Sequence, residues 1–156
     1  MNSDFAHVLQ QLVRGRKVAA LGTLHGGKPF VSMVPFAVAA DGALVIHVSK
    51  LASHTRDMLK NPEVSMLIAE SESSEKMAQA LARVTLQGRA RVRERDHKGY
   101  AAARAAYAER FPDAAPLFEF SDFKLFVVRA LSARLIAGFG QAVTIDAAEF
   151  KSGISA

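Results

Sequence analysis

The sequence predicts a mainly β protein with flanking helices (α+β class), built as an antiparallel barrel of about six strands that is closed or nearly closed. Three apolar runs rich in β-branched residues follow one another with only tight turns between them, and such short connections join antiparallel strands. Closure into a barrel also removes exposed sheet edges. The chain has 156 residues, half of them hydrophobic, which suits a single domain spanning residues 1–156.

The first half of the predicted barrel consists of one helix and three strands. The helix begins near Ser3 or Asp4, since either side chain can cap it and apolar residues then recur at helical spacing. The strands are predicted at 18–24, at 29–39 and at 44–48, with turns at 25–28 and 40–42 between them. Pro35 interrupts the second strand and marks an edge or a bulge, because proline cannot donate to a strand ladder.

The segment 44–68 combines a strand, a polar turn, a short helix and a second strand. Ser53 or Thr55 is expected to cap the helix, and Asn61-Pro62 ends it because the residue before proline avoids helical angles. The turn offers hydroxyl, ammonium, imidazole and guanidinium groups beside the free N–H groups of the helix start, which suits a phosphate. These side chains are Ser49, Lys50, Ser53, His54, Thr55 and Arg56. An ordinary helix cap surrounded by solvated charges is the competing interpretation.

The second half of the chain predicts three more strands and a helix. The strand at 80–95 carries small or apolar residues on one face and mainly arginines on the other. Asp96 is expected to cap a helix that ends before Pro112. The last two strands are predicted at 124–128 and 133–136, with a turn at 131–132, and the tail shows no further pattern.

Composition excludes several kinds of site. The chain has no cysteine, so it forms no disulfide, thiolate metal site or cysteine nucleophile. Its five histidines are scattered and match no zinc motif, so we expect no metal site, and no residue stands out as catalytic. The net charge of +5 suits an anionic ligand. Nucleic acid is disfavoured, because no aromatic residues interleave with the arginines to stack bases.

The sequence also shows no targeting or membrane pattern. The N-terminus lacks a basic region followed by an apolar run, which a signal peptide requires. The apolar runs are too short to span a bilayer. We therefore expect a cytoplasmic protein without membrane contact.

The order of the motifs resembles a known family. Between Val18 and Arg95 the chain runs through a strand, a GGKP turn, a long strand, a DG turn, the segment SKLASHTRDMLKNPEVSML and a strand containing QGRARV. This order and spacing resemble the pyridoxamine 5'-phosphate oxidase-like FMN-binding split barrels. The ending DFKLFVVRALSARLIAGFGQAVTI resembles the branch of heme iron utilisation proteins. The resemblance implies a six-stranded split β-barrel of the FMN-binding type.

The resemblance also implies an FMN site. The stretch 32–35 corresponds to the strand along the flavin ring, and Ser53 and His54 correspond to the phosphate site. The implied cofactor-binding residues are Ser32, Met33, Val34, Pro35, His47, Val48, Ser49, Lys50, Ser53, His54, Thr55, Arg56 and Arg83. Two departures argue against a pyridoxamine phosphate oxidase: Ser32 stands where those oxidases have an arginine, and Ala37 where they have a lysine.

The resemblance and the residues together favour a flavoprotein, an FMN-dependent oxidoreductase acting on a small-molecule substrate. The alternatives are a heme-binding or heme-degrading protein of heme utilisation, with heme as its cofactor, and a non-catalytic flavin-binding module. A homodimer with FMN at the subunit interface is expected, because small split barrels of this family generally pair this way. The residues support pairing independently, since the strands at 44–48 and 124–128 are apolar on both faces and need cover on both sides.

Overall fold

The computed structural model describes residues 1–155 and shows one curled antiparallel sheet of eight strands surrounded by helices. The strands are β1 (Val18–His25), β2 (Lys28–Pro35), β3 (Ala37–Val38), β4 (Leu44–Ser49), β5 (Glu63–Ala69), β6 (Arg83–Val92), β7 (Phe123–Gly138) and β8 (Gln141–Asp146). The helices are α1 (Ser3–Gly15), α2 (Ser53–Lys60), α3 (Tyr100–Arg110) and α4 (Ala147–Ser155). Two 3-10 segments lie at Ala78–Ala80 and Pro112–Glu119.

The strand order across the sheet is β2-β1-β5-β6-β7-β4-β3, and β8 pairs with β7. The long strand β7 makes this possible, because its first half pairs with β4 and its second half pairs with β8. Its other edge pairs with β6 along most of its length. The curled sheet also brings β2 close to β4, so the strands enclose a half-barrel. A mainly β fold with flanking helices and a curled antiparallel half-barrel sheet is therefore confirmed.

The strand count differs from the six predicted. The predicted strand at 29–39 is divided, because the buried Phe36 donates its N–H to Lys17 O at 3.0 Å and the chain then turns to pair with β4. The predicted turn at 131–132 is instead a bulge within β7. Gly88 pairs with Ala130 and Gln87 with Ser132, which leaves Leu131 as the extra residue. The tail, which showed no pattern in the sequence, forms β8 and α4.

The helix starts also differ from the predictions. Asn2, not Ser3 or Asp4, caps α1 by accepting a hydrogen bond from the N–H of Phe5 at 3.0 Å. Helix α2 has Ala52 at its cap position and no side-chain cap, with Ser53 and Thr55 inside the helix. Helix α3 begins only at Tyr100, and Gly99 rather than Asp96 precedes it. Each predicted cap was therefore displaced by one to three residues.

Two apolar clusters stabilise the sheet on its opposite sides. The inner cluster fills the half-barrel between the strands and α1, and it includes Leu9, Val13, Leu21, Ile46, Met66, Leu86, Phe126 and Leu135. The outer cluster lies where α3 and the segment Pro112–Glu119 cover β3, β4 and the first half of β7. We call this the covered face. The rest of the outer surface, on β2, β1, β5 and the adjoining parts of β6 and β7, we call the open face.

Candidate functional site

The open face exposes an unusual number of large apolar side chains. They are Val31 (67% exposed), Met33 (66%), Leu131 (48%), Val18 (42%) and Leu67 (39%). They share one side of the sheet, since Met33 and Leu67 flank Ala20 on adjacent strands and Val31 lies opposite Gly22. A groove of about 490 Å³ crosses this face, and its lining includes Leu24, Pro29, Phe30, Val31 and Leu131. Such an apolar patch marks an interaction surface.

An arginine cluster adjoins the apolar groove. Arg89, Arg91, Arg93 and Arg129 line a second groove of about 430 Å³, and Leu131 lines both grooves. Arg89 pairs with Glu63 at 2.9 Å and Arg129 pairs with Asp41 at 2.7 Å. Within residues 1–155, Arg91 has no carboxylate partner. The open face therefore offers apolar surface beside guanidinium groups, which suits a flat apolar ligand with acidic substituents.

The polar turn at 49–56 is ordered largely by its own hydrogen bonds. The hydroxyl of Ser49 accepts from the N–H of Leu51 at 3.1 Å, and the guanidinium of Arg56 donates to Leu51 O at 3.3 Å. The side chain of Thr55 is fully buried, and its hydroxyl has no partner. The turn therefore has a defined conformation without a ligand. Its polar side chains Ser53 and His54 are half-buried.

His54 lies beside a buried carboxylate that the sequence did not identify as important. Burial lowers the pKa of His54, and the charge of Asp57 only partly opposes this, so its imidazole is neutral at pH 7. Asp57 accepts hydrogen bonds from the hydroxyl of Thr23 at 2.9 Å and from His25 Nδ1 at 2.8 Å. Burial raises the pKa of Asp57, but these two hydrogen bonds outweigh it and the pKa is lowered. Residues from β1 and α2 are thereby joined through contacts that no local sequence pattern could reveal.

The other residues of the expected cofactor site are dispersed. Val34 and Val48 are buried in the inner cluster, so only their main-chain atoms could meet a ligand. Met33 and Pro35 are exposed on β2, whereas the hydroxyl of Ser32 is buried without a partner. Arg83 lies at the start of β6 and donates to Leu81 O at 2.8 Å and Gln79 O at 3.3 Å. Its strand partners are Ala69 and Ile136, at the end of the sheet away from the turn at 49–56.

His47 and Lys50 belong to the covered face instead. The His47 ring stacks on Phe118 with centroids 3.9 Å apart, and Tyr107 and Phe123 pack around it. Burial, followed by the charges of Arg104 and Arg95, lowers the pKa of His47 to about 4. Both His47 and Lys50 line a cavity of about 730 Å³. One chain therefore does not assemble the thirteen expected residues into a single site.

Comparison with known proteins decides the family. Residues 2–152 match the family described as CREG, beta-barrel. The chain belongs to this family of CREG-like split β-barrels. Heme oxygenase HutZ of Vibrio cholerae is 32% identical over 140 residues, covering 88% of this chain and 79% of that protein. This CREG-like assignment fits the resemblance to split barrels of the heme utilisation branch.

Two further relatives of this CREG-like protein are also named for heme. The chloroplastic heme oxygenase HOZ of Arabidopsis thaliana is 38% identical over 117 residues, covering 74% of this chain and 34% of that protein. A structure of a heme binding protein from Mycobacterium smegmatis has a TM-score of 0.86 and 31% identity, covering 97% of this chain and 62% of that one. The chain thus spans about a third of the plant protein and less than two thirds of the mycobacterial chain.

These relatives overturn the cofactor expected from the sequence. The expectation of a flavoprotein with FMN as cofactor, acting as an FMN-dependent oxidoreductase, was wrong, because the relatives are named for heme rather than flavin. FMN and heme are both flat ring systems with acidic substituents, so the residue pattern alone did not separate them. The heme alternative is the better supported one. Across residues 1–155, no helix combines the length and apolarity needed to cross a membrane.

Proposed function

We propose that this CREG-like protein binds heme on its open face, between two copies of the chain. The observation that carries the proposal is the apolar groove beside the arginine cluster, with Leu131 lining both. Heme combines a flat apolar ring with two propionates, and these two surfaces complement its two parts. The names of the relatives, two heme oxygenases and one heme binding protein, support the same ligand.

The side chains available fit heme chemically. Of the residues that could hold the heme iron, we favour His54, because its burial lowers its pKa and keeps the imidazole neutral. Met33 and Val31 provide exposed apolar surface for the ring. Arg83 and Arg91 lie on the same face of β6 but near its opposite ends, and they are our alternative candidates for holding the propionates. Bound heme would supply the iron at which oxygen is activated.

A second copy of the chain is needed to complete this site. Within one chain, Arg83 lies at one end of the sheet while His54 follows the opposite end of β4. The apolar side chains of the open face also remain exposed in a single copy. A symmetric partner hides such a patch and can bring its own turn at 49–56 towards the arginines of β6. We therefore propose a homodimer with a heme site shared by both subunits.

We further propose that the bound heme is degraded by oxygenation. Support comes from the names of the Vibrio and Arabidopsis relatives, both of which are heme oxygenases. Heme storage without turnover is the second candidate, since the mycobacterial relative is named only for heme binding. Incubation of the hemin complex with ascorbate in air separates the two candidates. Turnover bleaches the Soret band and releases iron that a ferrous chelator captures, whereas storage leaves both unchanged.

Titration with hemin tests the binding proposal. We expect a saturable Soret shift at one heme per chain, and weaker binding by about tenfold or more in His54→Ala and Arg91→Ala. His7→Ala is the matched control, because His7 is exposed on α1 away from the open face. Titration with FMN should give no saturable change. Binding of FMN but not hemin, or equal losses in His7→Ala and His54→Ala, would contradict the proposal.

A further inference from the structure

The cavity beside His47 on the covered face is distinct from the apolar groove of the open face, and it adjoins the arginine groove through Val92 and Arg93, which line both. It measures about 730 Å³ and lies between the end of β4, the start of β7 and the segment 92–96. Its lining shares no residue with the apolar groove of the open face. This volume falls within the range of small-molecule sites, about 300–1,000 Å³. The heme proposal makes no use of this cavity.

The orientation of the His47 ring leaves one hydrogen-bonding atom for the cavity. Nδ1 is buried and has no hydrogen-bond partner. His47 is 8% exposed and lines the cavity, which leaves its other nitrogen, Nε2, as the ring atom available to a ligand. A buried N–H without an acceptor is rarer in proteins than an unused acceptor. The neutral ring therefore carries its proton on Nε2, which makes it a hydrogen-bond donor towards the cavity.

The charges around the cavity favour an anion. Its lining contains four cationic side chains, Lys50, Arg93, Arg95 and Lys124, and three carboxylates, Glu94, Asp96 and Glu119. Glu119 is already paired with Arg104 at 3.4 Å. Among the residues described, neither lysine has a carboxylate within ion-pair distance. Two free ammonium groups and the Nε2–H of His47 thus border the same space.

Aromatic rings form the remaining apolar part of the cavity wall. Tyr100 and Phe123 line it, and Phe123 lies 5.1 Å from His47, measured between ring centroids. Phe118 holds the His47 ring from behind, and Arg95 fixes this segment by donating to Phe118 O at 2.7 Å. The imidazole is consequently held in place before any ligand arrives, which lowers the entropic cost of binding.

We propose that this cavity is a second binding site that takes an aromatic carboxylate. The carboxylate accepts a hydrogen bond from Nε2 of His47 and pairs with the ammonium groups of Lys50 and Lys124. The aromatic ring packs against Phe123 and Tyr100. Hydrogen bonds to a charged group and an aromatic contact are the interactions that the wall provides.

Calorimetric titration with isophthalate tests this site. We expect saturable binding at one molecule per chain, and no binding of the uncharged isophthalamide. His47→Phe keeps the stacked ring but removes the donor, and should weaken isophthalate binding about tenfold or more. The double variant Lys50→Ala/Lys124→Ala should weaken it at least as much. Lys28→Ala, an exposed lysine in the β1–β2 turn, should leave it unchanged.

Far-UV circular dichroism and thermal melting first establish which variants are folded, and only those are compared. Because the histidine and lysine variants test the site independently, the loss of one of them leaves the other. Failure of the folded wild-type protein to bind isophthalate saturably would overturn the proposal. Equal affinity for isophthalamide, or equal losses in Lys28→Ala and the lysine double variant, would do the same. Hemin binding should be unchanged in His47→Phe. A parallel loss of hemin binding would show that the cavity belongs to the heme site, and the claim of a separate second site would fall.

Discussion

The covered and open faces are the same side of one sheet, and they differ in what the chain supplies to hide them. On the covered face, α3 and the segment Pro112–Glu119 bury Tyr107 and Phe118 against β4 and β7. On the open face, Val31 and Met33 remain about two-thirds exposed. The strands of both faces carry apolar side chains outward. The comparison shows that outward-facing apolar residues indicate a surface that will be buried. They do not specify whether the same chain or a second chain buries it.

The two faces should therefore respond differently to the same kind of substitution. Truncating an outward side chain on the covered face removes packing that one chain already makes, so it reduces the free energy of unfolding. Truncating one on the open face removes little packing from the isolated chain, so under the proposed function it should act on assembly and on heme binding instead.

The largest loss is expected for Phe118→Ala. Phe118 is 1% exposed and stacks on His47, so its truncation leaves a cavity and should cost about 3–5 kcal/mol of unfolding free energy. Phe120→Ala is the matched control two residues away, because Phe120 is 52% exposed and should change stability by about 0.5 kcal/mol or less. Urea unfolding measures both. Equal losses would show that the covered face is not packed as described.

Gly88→Ala tests the boundary between the faces. A Cβ at Gly88 would lie 2.4 Å from the carbonyl oxygen of Arg129, next to the bulge at Leu131. The backbone must shift, which should cost about 1–3 kcal/mol. Gly22→Ala on the open face is the control, since its Cβ would approach nothing closer than 3.5 Å. If Gly88→Ala were no more destabilising than Gly22→Ala, the register across the bulge would be wrong.

The acid response of the covered face should depend on His47. Its pKa is lowered from 6.5 to about 4 in the folded chain, so between these values the unfolded chain binds the additional proton. Stability should consequently fall as the pH drops from about 6.5 towards 4, and be unaffected by this group above that window. His47→Phe should flatten the dependence, whereas His7→Ala should preserve it. Urea midpoints at several pH values measure the slope, and an unchanged slope in His47→Phe contradicts the burial of this ring.

Features of the fold could be predicted from the sequence where they depend on residues close together in the chain. The alternation of arginines with small residues placed the inner and outer sides of β6 correctly, because a strand has a period of two. The double-sided burial of β4 was also visible, since Val45 and Ile46 are adjacent and both fully buried. These features depend only on neighbouring residues.

Features that depend on distant contacts were missed. The bulge at Leu131 reflects the fit of β7 to Gly88 on another strand, so 131–132 resembled a turn. The bond between His25 and Asp57 joins residues 32 positions apart, and neither residue showed a local signal. The residue pattern also could not distinguish FMN from heme, because both ligands require an apolar surface and cationic side chains.

The smallest effect on chain stability, and the most direct test of the central claim, concerns the open face. We expect Met33→Asp to change the unfolding free energy by about 0.5 kcal/mol or less, because Met33 is already exposed. Light scattering combined with hemin titration should show a heme-loaded dimer for the wild-type protein. Met33→Asp should be a folded monomer with at least tenfold weaker hemin binding. A wild-type monomer that binds hemin stoichiometrically, or a Met33→Asp variant that keeps both the dimer and the heme, would contradict a shared heme site on this face.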